Sequence, residues 1–180
     1  MANLKPYSML KERVLKALND QINAEQYSSL LYLSMSAWFA DKGLPGFSNW
    51  MYVQFQEEMT HANKIFRFVV ERNGRVQLKA IEQMPVEFSS IMEVVEKTLE
   101  HEQHVTSLIN NIVDIATEER DHATQSFLQW FVDEQVEEEA NVTEILDSLK
   151  LIEGEAKGNG LFMLDRELRL RTFVDATLAE

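Results

Sequence analysis

The sequence has no cysteine in its 180 residues. That absence excludes a disulfide framework, a thiolate metal site and a thiol nucleophile, so carboxylate oxygen and imidazole nitrogen must hold any metal. Proline and glycine are scarce, at three and six. Pro6, Pro45 and Pro85 stand far apart, like punctuation between long uninterrupted segments, which favours an all-helical chain. Basic side chains are outnumbered 17 to 30, giving a formal charge of −13 and a sequence pI near 4.7. Nucleic acid is bound through clustered Lys and Arg, so this balance argues against it and in favour of cations as partners. No apolar run approaches the ~20 residues needed to cross a bilayer. The opening MANLKPYSMLKERVLKALND lacks the apolar core and small-residue cleavage site of a secretory signal. The expectation is a soluble, cytoplasmic protein that binds neither membrane nor nucleic acid.

What is present is 45% hydrophobic and 26% charged residues, the balance of one compact domain over residues 1–180. Helical periodicity marks four long segments, Ser8 to Asp41, Gly46 to Asn73, Ser89 to Thr117 and Asp121 to Lys150. The first ends at DKGLPG, the second at Asn73-Gly74 and the third at the charged turn EERD. Short breaks make hairpins of the first pair and of the second. RVQLKAIEQMPVEF, Arg75 to Phe88, is too long for a tight turn and reads as a crossover between them. The expected fold is an all-α four-helix bundle of two hairpins joined by one long connection. GEAKGNG follows as a flexible link and LFMLDRELRLRTF as a short fifth helix. There is no glycine-rich phosphate loop and no Ser/His/Asp nucleophilic arrangement.

The inward face of each helix carries the same anomaly. Helix one reads Leu18, Ile22, Glu25, Ser29, Tyr32, Ser36, Phe39 along a three–four stripe. In EEMTHANKIF, helix two sets Glu58 between Phe55 and Ile65, with His61 one turn on. Helix three places Glu102 among Val95, Thr98, Val105 and Ile109, and helix four places Gln135 and Glu138 among Leu128, Phe131, Val142 and Ile145. A single Glu on such a stripe is ordinarily a boundary residue with its head in water. Four at one depth are different, because each uncompensated buried carboxylate costs several kcal/mol. Two divalent cations would cancel four carboxylates. The pattern therefore points to a dinuclear centre with Glu25, Glu58, Glu102 and Glu138 as oxygen ligands and His61 as a nitrogen ligand. Glu58 and His61, three apart, can face one ion. Such a donor set suits iron or manganese better than a closed zinc site. Beside it, Glu57, Glu134 and Glu137 lie one position off the stripe and read equally well as a solvated face or as an accessory metal site. Tyr32 reads as packing or as a hydroxyl bonded to a ligand; Met59 and Trp130 read as packing or surface residues.

NAEQYSSLLYLSMSAWF, EEMTHA, EHEQ, FLQWFVDEQVEEE and GNGLFMLDREL, in that order, resemble segments of the bacterial type of non-haem ferritins, and the resemblance covers nearly the whole chain. It implies a ferritin-like fold and a hollow homo-oligomeric shell of twenty-four subunits. It also implies a ferroxidase activity oxidising Fe(II) with O2 or H2O2, and ferric oxyhydroxide stored inside. By the same resemblance, Glu25, Glu58 and His61 match the first iron site. Glu58 bridges to a second completed by Glu102 and Glu138, and Gln135 is a nearby hydrogen-bonding position. Glu57, Glu134 and Glu137 match a third iron site, and Tyr32 and Trp130 match aromatic residues considered as electron donors. Haem is not expected. Met59 stands where the bacterioferritins carry a haem-ligating methionine, but their Glu-x-x-His pair on helix four is replaced by Gln135 and Glu138. A non-storage di-iron oxidase, or a structural bundle that merely binds cations, would carry the same acidic stripes. The positions lining the threefold channels of animal ferritins with carboxylates correspond to Gln125 and Leu128.

Overall fold

The computed structural model describes residues 8–155 and 157–178, and among them the secondary structure is entirely helical. The helices are α1 (Glu12–Asp41), α2 (Pro45–Glu71), α3 (Ile91–Glu118), α4 (His122–Glu155) and α5 (Lys157–Leu168), with a single 3-10 turn at Ala176–Leu178. α1 packs along α2 and α3 along α4; α1 also meets α3, and α5 lies across α2 and α4. The segment between α2 and α3 is irregular for most of its length, as expected of a crossover. Phe88 at its end is buried and anchors it edge-on against Trp38, 5.7 Å between ring centroids.

Local chemistry sets the helix ends. The side chain of Ser90 accepts from the Glu93 backbone N–H at 3.0 Å, while the Glu93 carboxylate accepts from the backbone N–H and hydroxyl of Ser89, so two exposed ends of the first turn of α3 are closed reciprocally. Pro45 opens α2 in the first turn, where its missing N–H costs nothing. The next N–H groups of α2, from Gly46 and Phe47, donate to Asp165 Oδ1 at 2.8 and 3.1 Å, so a residue of α5 caps α2. A Cβ on Gly46 would stand 1.6 Å from the Asp165 carbonyl oxygen, and only glycine permits this approach.

Two sequence expectations are corrected. α1 begins at Glu12, not Ser8, because the Ser8 hydroxyl bonds locally to Leu10 in a bend; residues 1–7 of the amphipathic opening lie outside the described residues. The described residues of GEAKGNG, 154–155 and 157–160, are helical rather than a link. α4 runs to Glu155, α5 starts at Lys157 and ends at Leu168, and only Ala156 between them lies outside the described residues. Gly160 is used for closeness: a Cβ there would approach Ile152 Cγ1 to 2.9 Å, so α5 folds tightly onto the end of α4. Beyond Leu168, Asn49 Nδ2 donates to the carbonyls of Leu168, Arg169 and Arg171 at 3.3, 3.4 and 2.9 Å and holds the chain against α2.

The apolar interior is split. One cluster gathers Met35, Phe39, Phe47, Trp50, Met51, Val94, Val95 and Val142, and the other Val14, Leu18, Ile22, Ile65, Val69, Ile109, Leu128 and Phe131. Along α1 the first cluster starts just past Glu25 and the second ends just before it, so a polar layer divides the bundle.

Candidate metal centre

That layer holds Gln21 and Glu25 of α1, Gln54, Glu58 and His61 of α2, Glu102 of α3, and Gln135 and Glu138 of α4, all buried. The interruption seen on four stripes in the sequence is thus one place in the fold. Glu25, Glu58 and His61 each direct a ligand atom to a common point, the three atoms lying within 4.8 Å of one another. His61 Nδ1 is 3.5 Å from Glu58 Oε2. Among the described residues, Glu25 Oε2 and Glu58 Oε2 are buried with no hydrogen-bond partner. An orphaned carboxylate oxygen is costly in a protein interior, and a pair facing an imidazole is the arrangement a hard cation resolves.

The remaining carboxylates are oriented by neighbours. Tyr32 donates its hydroxyl to Glu102 Oε1, and Gln135 Nε2 lies 3.3 Å from Glu102 Oε2 and 3.2 Å from both the Glu102 carbonyl and Thr106 Oγ1. Gln54 Nε2 donates to Glu138 Oε2 at 2.8 Å, bridging α2 to α4, and Gln21 Nε2 donates to Glu25 Oε1 at 2.8 Å. Glu102 and Glu138 are not in the close group of three, but their charges are felt at Glu58.

Burial is the main force on these groups. It pushes Glu25 and Glu58 well above the ordinary carboxylate range, and like charge adds to it, from Glu58 at the former and from Glu102 at the latter. Glu102 is pushed up to about 8 by burial and by Glu138, against the bonds from Tyr32 and Gln135. Without a cation the layer therefore holds protons that a metal must displace. Tyr32 itself is raised by burial and by the neighbouring Glu102, which keeps its phenol a donor.

The acidic trio is arranged differently. Glu137 is exposed, and Glu57 and Glu134 are half-buried on the edge of the layer. Glu134 Oε1 is 3.9 Å from His61 Nε2, while Glu57 Oε2 receives Arg171 Nη2 at 2.6 Å. Burial raises Glu57 to about 7 even with Arg171 opposing it, and raises Glu134 as well. Trp130 stands edge-on to His61 at 5.3 Å and fixes that side of the imidazole. Met59 Sδ accepts from the Ser29 hydroxyl at 3.3 Å, a packing contact. Leu128 is fully buried in the second apolar cluster, in keeping with its place on the inward stripe of helix four, so it does not act as the channel position it corresponds to in animal ferritins; Gln125 is half-buried and bonded to Thr117 and His122.

The sequence pattern did not reveal Gln21, Gln54 and Arg171. A signal existed for the two amides, since each lies four residues before a layer glutamate on the same helix face. Arg171 is 114 residues from Glu57 and carried none.

The comparisons with known proteins agree with this geometry. The ferritin family model, described as a ferritin-like domain, matches residues 15–152. A bacterial non-heme ferritin of Bacteroides fragilis is 44% identical over 163 residues, spanning 91% of this chain and 100% of its own. A probable bacterial non-heme ferritin-like protein of Haemophilus influenzae is 46% identical over 160 residues, 89% of this chain and 96% of its own. Among solved structures, an open-pore ferritin of the archaeon Archaeoglobus fulgidus superposes with a TM-score of 0.88 at 51% identity, covering 92% of this chain and 100% of that one. On sequence, fold and the carboxylate layer alike, the chain belongs to the ferritin family and is of the bacterial non-haem type.

Proposed function

We propose that the protein takes up Fe(II), oxidises it at the buried layer and stores the product as ferric oxyhydroxide inside a shell of twenty-four copies. The observation that carries this reading is the group Glu25, Glu58 and His61, with two buried carboxylate oxygens that have no hydrogen-bond partner among the described residues. Glu25 and His61 hold one ferrous ion, Glu58 reaches between two, and Glu102 and Glu138 hold the second. Two Fe(II) ions give up one electron each, and O2 or H2O2 accepts the pair.

The chain's own part is positional and electrostatic. Glu25, Glu58 and Glu102 release their protons to bind, and the charge of the layer favours the ferric product over the ferrous substrate. Gln21 and Gln54 hold Glu25 and Glu138 at fixed angles, and Gln135 with Tyr32 holds Glu102. Glu57, Glu134 and Glu137 form an accessory iron site on the edge of the layer, where Fe(III) leaves for the cavity. Glutamine and glutamate at positions 135 and 138 support a non-haem centre over a haem-containing bacterioferritin.

The test is stepwise aerobic loading with Fe(II), then gel filtration and iron counting in the protein peak. Soluble iron far above three per subunit in a large particle is the expected result. Saturation at two or three would leave a di-iron oxidase without storage, and no retained iron would remove the reading.

A further inference from the structure

Arg171 lies three residues past the end of α5 and turns its side chain back toward α2. Its Nη2 is 2.6 Å from Glu57 Oε2, and its guanidinium carbon sits 4.6 Å from the centre of the Trp50 ring. Both partners of the ion pair are largely covered, with 22% and 17% of their side-chain surface exposed, so solvent screens it less than a surface pair. The placement is built from three directions. Asp165 caps α2 and seats α5, Asn49 holds the Arg171 carbonyl at 2.9 Å, and Trp50 offers its face to the guanidinium. All four residues of α2 involved, Gly46, Asn49, Trp50 and Glu57, lie on one run of that helix.

We propose that Arg171 is a resident cation at the accessory carboxylates, which a metal ion must displace from Glu57 before Glu57, Glu134 and Glu137 act together as ligands. This deepens the function proposed above and rests on it. With the guanidinium in place, Glu57 is occupied by Arg171 and the trio offers a metal two carboxylates, Glu134 and Glu137. With it displaced, the trio presents three, matched to a trivalent ion. A monovalent or weakly held ion cannot compensate the loss of a charge-assisted bond and a ring contact, whereas a small trivalent ion can. Arg171 thus sets a threshold that favours Fe(III), the product, over weaker competitors at the exit of the oxidising layer. Because the backbone carbonyl is tethered by Asn49, the side chain swings while the segment stays.

The test uses the assembled protein freed of iron and titrated with Tb(III), a redox-inert trivalent ion, followed by luminescence and calorimetry. Glu137→Gln, at an exposed position, identifies the accessory class of binding as the one it weakens. R171Q is expected to tighten that class about tenfold, and R171K to bind as wild type, with binding at the buried layer unchanged in both. Equal or weaker accessory binding in R171Q, or no class weakened by Glu137→Gln, would overturn the proposal. A second measurement needs no variant at Arg171: anomalous diffraction from wild-type crystals soaked in Tb(III). Metal on Glu57 with the Arg171 side chain turned away supports displacement. Metal on Glu57 with the ion pair intact, or Glu57 left without metal at saturation, refutes it. An empty Glu25–Glu58–His61 group in the same map would instead sink the underlying iron reading.

Discussion

Tyr32 of α1 donates its hydroxyl to the Glu102 carboxylate of α3, tying together two helices that meet at the polar layer. The donation favours the charged form of Glu102, against burial and the nearby Glu138. Tyr32→Phe removes the donor while keeping the ring and its volume. Glu102 then protonates more readily, and a metal must displace that proton at a higher pH. Anaerobic Co(II) titrations across pH should show the midpoint of metal binding moved upward in the variant. An unmoved midpoint would mean that the hydroxyl only packs.

The metal-free protein should lose stability as pH rises. Glu102 is held at about 8 in the folded chain against an ordinary 4.5, so between those limits the folded chain binds more protons than the unfolded one. Stability therefore falls with increasing pH across that window, by at most about 1.4 kcal/mol per pH unit for each such group. Glu25 and Glu58, shifted in the same direction, add to the slope. Thermal denaturation of metal-free protein should give a higher midpoint at pH 6 than at pH 8. Bound Fe(II) or Co(II) should reverse that order, because metal affinity weakens as protons return to the ligands.

Glu58→Gln separates function from stability. The amide keeps the volume of Glu58 and mimics the protonated carboxyl that burial and three neighbouring carboxylates favour when no metal is bound. The metal-free variant should melt close to wild type near pH 6 and a few degrees above it at higher pH, where losing the Glu58 proton costs the wild type on the order of 1 kcal/mol. It should lose the fast phase of Fe(II) oxidation and one class of Co(II) site. Stopped-flow absorbance beside calorimetric melting checks both. A variant that retained fast oxidation would exclude Glu58 as the shared ligand.

Much of the fold and of the carboxylate layer was legible in the sequence because helical spacing is a strong local signal. Glu25, Glu58, Glu102 and Glu138 each broke an apolar stripe at a depth that the bundle then brought into register. The long crossover was legible from its length alone. The region after Lys150 was not, since the glycines of GEAKGNG resemble a break whether they loosen a chain or let Gly160 press against Ile152. Leu128 lies in the core, where helical spacing put it on the inward stripe of helix four; its correspondence to a channel position came from the resemblance and not from spacing. Arg171 escaped because its partner lies on another element, and only tertiary structure pairs distant charges.

The docking of α5 gives the last prediction. Asp165 Oδ1 accepts two backbone N–H groups at the start of α2 and is itself buried. Asp165→Ala strips that cap and leaves two donors unsatisfied, at a cost of about 1–2 kcal/mol. Asp165→Asn keeps an acceptor oxygen and should recover part of the loss. Gly46→Ala is more severe, because its methyl group would overlap the Asp165 carbonyl and force α5 away from α2. Hydrogen exchange should therefore quicken at residues 46–48 in Asp165→Ala, and over the whole of α5 in Gly46→Ala. Release of α5 also frees the chain that carries Arg171, so Gly46→Ala should loosen the Glu57 ion pair while leaving Glu25, Glu58 and His61 in place. Protected exchange throughout α5 in Gly46→Ala would show that this helix is held by Ile152 and its α4 neighbours, and not by the contact with α2.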